Sequence, residues 1–205
     1  MSGTTTTAST AGPRANARLA GYAAVAGGVA SAVAGAIQAV RTDDGNPIVG
    51  TSEHVLLALT AAALVLWVPG YLALGRASGK LGRTGGVVAV AGAVLLAFGM
   101  TSTNLHDEDY SWFPIVAAPA NLAWLVGSIL LAVATFRTRT LPRPLALALP
   151  LVWLTFIILS QLGGNLVAGV IWAVIGWVLT TGDRQGPAGT ASGARLDRAT
   201  DTLLP

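Results

Sequence analysis

The chain has 205 residues, 53% hydrophobic and only 10% charged, with mean hydropathy +0.66. A soluble domain carries about a quarter charged residues because charge covers its surface, so an ordinary soluble globule is excluded. The chain has no cysteine, which rules out disulfides, thiolate zinc or iron–sulfur ligation and a cysteine nucleophile. The pI is near 10.0, but the net charge is only +3 and no long Lys/Arg run or interleaved aromatic motif accompanies it, so no nucleic-acid partner is expected.

Residues 1–17 are Thr-rich, lack hydrophobic periodicity and read as a disordered tail. A bilayer core of about 30 Å needs roughly twenty apolar residues of helix. Six segments meet or approach that length, predicting an all-α transmembrane bundle over residues 18–181. The first span, Leu19–Val40, carries Gly27, Ser31 and Gly35 at spacing four, a small-residue pattern that lets helices approach closely. Its Ser31-Ala32-Val33-Ala34 suits a signal peptidase, but the stretch is long and Gly-rich behind an extended polar lead, so it reads as a retained span.

Val55–Leu74 and Gly85–Thr103 follow, the latter with Gly85, Ala89 and Ala93 at the same spacing. The fourth span, Phe113–Phe136, has Pro114 and Pro119 in its outer turns, which should loosen them. Pro144–Leu159 and Leu166–Thr180 are short, and the Gly163-Gly164 pair between them predicts a tight hairpin instead of one continuous helix. Residues 182–205, rich in Gly, Ala and Arg, read as a second disordered tail. Trp67, Trp112 and Trp177 fall near expected span ends, where interfacial anchors sit.

Cations sort into alternate connections: Arg14 and Arg18, then Arg76, Lys80 and Arg83, then Arg137, Arg139 and Arg143, then Arg184, Arg195 and Arg198. The other connections hold Arg41 with Asp43, Asp44, Glu53, Asp107, Glu108 and Asp109. Because Lys and Arg near helix ends resist translocation, this predicts six spans with both termini cytoplasmic. One Lys against eleven Arg, with the Ala and Gly load, looks like the codon bias of a high-GC bacterium, which makes the expected membrane a bacterial plasma membrane.

Polar side chains gather on the outer side: Gln38, Glu53, His54, Asn104, His106 to Asp109, Asn121, Gln161 and Asn165. No ladder of ionisable groups crosses the spans, which argues against a proton pump or ion channel. Asn121 lies about two turns inside the fourth span, where an unpartnered amide costs several kcal/mol. It shares a helix face with Phe113, Ala117, Trp124 and Ser128, and either an interhelical hydrogen bond or a pocket wall satisfies that stripe. Glu53-His54 and the His106 to Asp109 run lie at the outer ends of neighbouring spans. They read as a solvated acidic loop, a metal site, or a carboxylic acid kept protonated by burial. Neither spacing is a metal signature, and no metal or other cofactor is called for.

No G-x-S-x-G elbow, P-loop or dinucleotide fingerprint occurs, and Asp107-Glu108-Asp109-Tyr110-Ser111 lacks the D-D-x-x-D spacing that holds magnesium on a diphosphate. Chemistry begun by protonating an apolar substrate inside an aromatic-lined cavity remains open.

The stretch Asn104–Ser128, with Asp107, Trp112-Phe113, Pro119-Ala120-Asn121-Leu122, Trp124 and Gly127-Ser128, together with Leu141-Pro142 and Leu162-Gly163-Gly164, resembles a broad set of uncharacterised six-span membrane proteins of high-GC bacteria. That resemblance covers most of Leu19–Thr180 and implies a fold and no activity. More distantly, the small multispan body with carboxylates at helix ends is similar to membrane-bound terpene cyclases. That likeness implies Glu53 and Asp107 as acids, with Trp112, Phe113 and Trp124 lining the cation path; Asn121, from its place in the fourth span, is the further candidate for the substrate pocket. The sequence thus carries two readings. One is a metal-independent, acid-initiated isoprenoid or meroterpenoid cyclase or isomerase acting on an apolar small molecule. The other is a non-catalytic lipid-binding envelope accessory, immunity protein or small exporter component. Membrane lipids are partners in both, and neither sets an oligomeric state.

Overall fold

A computed structural model describes residues 13–40, 50–107, 110–159 and 162–181. These form α1 (Pro13–Val40), α2 (Thr51–Ala77), α3 (Gly79–His106), α4 (Phe113–Thr138), α5 (Arg143–Ile157) and α6 (Gly164–Thr181), with no strand among the described residues. Five of the six are long and apolar enough to cross a membrane, the form of a multi-pass integral membrane protein. The exception is α5, whose 15 residues rise about 22 Å, less than a hydrocarbon core of about 30 Å.

The expected N-terminal tail is cut back, because α1 starts at Pro13 and residues 13–17 are helical. Proline suits a first helical turn, where its fixed φ is already helical and its missing N–H has no partner to lose. The remaining tail segments, 1–12 and 182–205, lie outside the described residues, as do Arg41, Asp43, Asp44, Glu108, Asp109 and Gln161. The prolines expected to loosen the outer turns of α4 do not interrupt it. Pro114 falls in its first turn, and the helix continues through Pro119 to Thr138.

Each helix packs against its neighbours in the chain, and α1 lies along α6, closing the six into a ring. Small residues make the seams. A Cβ added at Gly28 would stand 2.6 Å from the Gly169 carbonyl, and one at Gly176 would stand 2.6 Å from the Gly21 carbonyl. The α1–α6 seam therefore uses Gly21, Gly28 and Gly35 at spacing seven. The predicted stripe divides between two neighbours: Gly27 faces Trp67 of α2, while Ser31 and Gly35 face α6. On α3, Gly85 and Ala89 meet Gly127 of α4 as the spacing predicts, and Gly92 extends that seam to Ala120 and Trp124. In lipid such close backbone approach replaces the hydrophobic drive of a soluble core.

Large rings fill the space inside the ring of helices. Trp67 and Tyr71 of α2, Trp124 of α4 and Trp172 of α6 are all 0% exposed, with Phe156 of α5 beside them. Trp67 stacks on Trp172 with centroids 5.3 Å apart, and Phe156 meets Trp124 edge-on at 5.1 Å. Trp67 is thus a core residue and not the interfacial anchor expected from its position. Trp177 is 66% exposed near the end of α6, where an anchor belongs.

Gly163, at φ +78, turns the chain between α5 and α6, which fixes the predicted hairpin and breaks the alternative continuous helix. The reversal from α2 to α3 takes only Ser78 and Gly79, the latter at φ +73. Ser78 Oγ donates to Thr140 Oγ1 at 3.2 Å, and Gly21 packs against Thr180. Alternate helix ends therefore meet. Arg18, Arg76, Lys80, Arg83, Arg137, Arg139 and Arg143 fall at one end of the bundle, and Glu53, His54, His106 and Asp107 at the other.

Candidate functional site

The acidic end is built by the start of α2 and the end of α3. Gly50 carbonyl accepts from the Glu53 and His54 N–H groups, setting both side chains in the first turn of α2, where a carboxylate suits the positive end of the helix dipole. Ser52 Oγ donates to Glu53 Oε2 at 3.3 Å. Across from them, Asp107 caps α3 in the left-handed region at φ 61, its N–H donating to the Thr103 carbonyl. Aspartate tolerates that conformation better than most residues.

His54 joins the two helices. Its Nδ1–H donates to Asn104 Oδ1 at 2.8 Å, and its Nε2 faces Asp107 Oδ1 at 3.2 Å, an ion pair when the ring is protonated. Of the expected convergence of Glu53-His54 with the run His106 to Asp109, the described residues contain the contact of His54 with Asp107, while Glu108 and Asp109 lie outside them. The Asp107 side chain, however, is 62% exposed, so water reaches the carboxylate. No group of three or more His, Asp or Glu is placed to hold a metal among the described residues.

The aromatic candidates belong to two separate assemblies. Trp112 sits in a ladder of rings at the acidic end, stacked on Tyr110 at 5.9 Å and on Phe98 at 6.2 Å, with Tyr110 meeting His106 edge-on at 5.0 Å. Phe113 meets Trp112 edge-on and lays its ring on Gly99 of α3. Trp124 belongs to the central cluster, where its Nε1–H donates to the Tyr71 hydroxyl at 2.7 Å and Tyr71 in turn lies 3.4 Å from Ser128 Oγ.

Asn121 is half-buried between α4 and α5. Its Nδ2 donates to the Ala117 carbonyl at 2.9 Å, and Trp153 Nε1–H donates to its Oδ1 at 3.2 Å. The amide thus serves as an interhelical hydrogen bond beside aromatic rings, one of the two roles its position allowed. A matching polar contact pins α6 to α1: Asn165 Nδ2 donates to Gln38 Oε1 at 2.9 Å, and Ser31 Oγ donates to the Asn165 carbonyl at 2.8 Å.

Sequence reasoning missed Tyr71, Trp153, Phe156 and Trp172. The signal for Tyr71 was present: Thr60, Leu64, Trp67, Tyr71 and Leu74 recur at spacings of three and four, a stripe on one face of α2 whose members are all buried. Two hollows also escaped notice, both at the basic end, away from the acids. One of about 240 Å³ opens between α2 and α3, and one of about 760 Å³ between α1 and α2. No protein-family model matches the chain, and no curated protein or solved structure matches it either.

Proposed function

We propose that the chain is a six-span bacterial plasma-membrane protein, with the start of α1 and the end of α6 cytoplasmic, that acts as a non-catalytic, lipid-binding envelope accessory. The observation that carries this reading is the environment of Trp124. It is fully buried, hydrogen-bonded to Tyr71 and packed edge-on against Phe156, so the rings at the heart of the bundle act as packing for one another. A cation-guiding wall needs rings that face an enclosed space beside a desolvated acid. Asp107 instead lies at the solvated rim, paired with His54.

Support for lipid binding comes from the periphery, where the hollows at the basic end open beside arginines. Positive charge at that end also favours its retention on the cytoplasmic side. The short α5 is accommodated by local thinning of the bilayer or by its polar flanks reaching the interface, at a fraction of a kcal/mol per Å.

The test is to purify the protein in mild detergent from its host membrane and identify the apolar molecules that accompany it. Co-purified phospholipid at equal level in wild type and Asn121→Leu is the expected result. A stoichiometric isoprenoid lost in Asn121→Leu, or a cyclised product formed from a linear isoprenoid, would overturn the reading in favour of the cyclase.

A further inference from the structure

The two hollows lie on either side of one ridge of α2. The smaller is lined by Leu72, Gly75 and Arg76 of α2 and by Arg83, Gly86 and Val87 of α3. The larger is walled on the α1 side by Ala17 and Ala20 and on the α2 side by Pro69, Leu72, Arg76 and Ala77, among others. Leu72 and Arg76 border both. They stand one turn apart on the outward stripe of α2 that continues from Val65 and Pro69, the face a surrounding bilayer covers.

Glycines cut the smaller slot. A Cβ at Gly86 would stand 2.8 Å from the Tyr71 carbonyl, and one at Gly75 would stand 2.8 Å from the Gly82 carbonyl. At this point α2 and α3 meet backbone to backbone, with Arg76 and Arg83 flanking the join. The two carboxylates among the described residues, Glu53 and Asp107, are both at the opposite end of the bundle. The two guanidiniums of the slot thus have no carboxylate partner among the described residues, while each presents a fork of donors matched to a phosphate.

We propose that this end binds one anionic diacyl phospholipid, its phosphate held by Arg76 and Arg83 and one acyl chain in each hollow, straddling Leu72. The proposal rests on the lipid-binding reading above and names its site and headgroup. Charge decides the class, because a cationic pocket at helix ends on the cytoplasmic side selects an anionic headgroup from the leaflet beside it. The larger hollow falls within the 300 to 1,000 Å³ typical of ligand pockets. Leu72, shared by both hollows, explains why a two-chain lipid fits better than a single-chain one.

The full-length protein in detergent would be mixed with equal phosphatidylglycerol and phosphatidylcholine and read by native mass spectrometry, with circular dichroism on each variant. Wild type is expected to retain one phosphatidylglycerol. Arg76→Gln with Arg83→Gln should lower retention about 30-fold, the effect of losing two cations that each count about fivefold near a bilayer surface. Lys80→Gln, outside both hollows, should retain the lipid. Leu72→Trp keeps both charges yet fills the slots, and should also lose it, which decides the matter if the arginine variant misfolds.

Wild-type retention in the double arginine variant, or equal retention of phosphatidylcholine, would overturn the site while leaving the lipid-binding reading intact. Binding of inorganic phosphate without retention of phosphatidylglycerol would overturn the lipid in favour of a free-anion site. No lipid on wild type at all would overturn both this proposal and the reading beneath it.

Discussion

The hydroxyl of Tyr71 is the hinge of the buried polar contacts, taking the Trp124 proton at 2.7 Å and facing Ser128 Oγ at 3.4 Å. Tyr71→Phe strips the acceptor from a buried indole N–H, and should lower stability by about 1 to 2 kcal/mol. Ser128→Ala should cost less, since its contact is long for O–H···O. Unfolding by SDS titration from mild detergent measures both; equal losses would show that Ser128 and not Trp124 is the dominant partner. At the rim the expectation is different. The His54–Asp107 pair is largely solvated, so Asp107→Asn should change stability by less than about 1 kcal/mol, by the same titration. A loss several times larger would show that His54 ties α2 to α3 more firmly than an exposed pair does.

Helix seams depend on side chains that are missing. Gly28→Ala drives a methyl toward the Gly169 carbonyl 2.6 Å away and should destabilise the bundle by about 1 to 3 kcal/mol. Ala26→Val, two residues earlier on the exposed face of the same helix, should be nearly neutral, and thermal melts of the two in one detergent make the comparison. Comparable losses would mean that α1 is not seated on α6 through Gly28. This seam also shows how far the sequence could be read. Helix count and span cores were legible because apolar runs of membrane length have few alternatives, and the α5–α6 break followed from Gly163 and Gly164. Which small residue faces which neighbour was not, because a helix so rich in Gly and Ala offers close approach on several faces, so the Gly27, Ser31, Gly35 stripe was divided between α2 and α6. At the candidate site, the meeting of His54 with Asp107 was legible from their places at adjoining helix ends. The burial of Trp124 and Trp67 was not, since a tryptophan serves equally as anchor, pocket wall or core until its neighbours are known.

The whole molecule constrains its own topology more tightly than helix lengths do. Taken alone, a 15-residue α5 allows a five-span arrangement in which α5 stays within one leaflet. The ring does not allow the ends to separate, however, because Gly21 near the start of α1 packs against Thr180 near the end of α6. Both ends therefore share a side whether or not α5 crosses completely, and the cations gathered at that end are the ground on which a cytoplasmic side is proposed for it, since Lys and Arg near helix ends resist translocation. A chain without cysteine lets this be measured without background. Ser52→Cys, beside the acidic end, should react with a membrane-impermeant maleimide added to intact cells. Lys80→Cys and Thr181→Cys should react only after the membrane is permeabilised. Labelling of Thr181→Cys from outside with Lys80→Cys protected would separate the two ends of the bundle and break the closed ring itself. Reversal of all three would keep the ring and invert it, placing the arginine-flanked hollows in the outer leaflet.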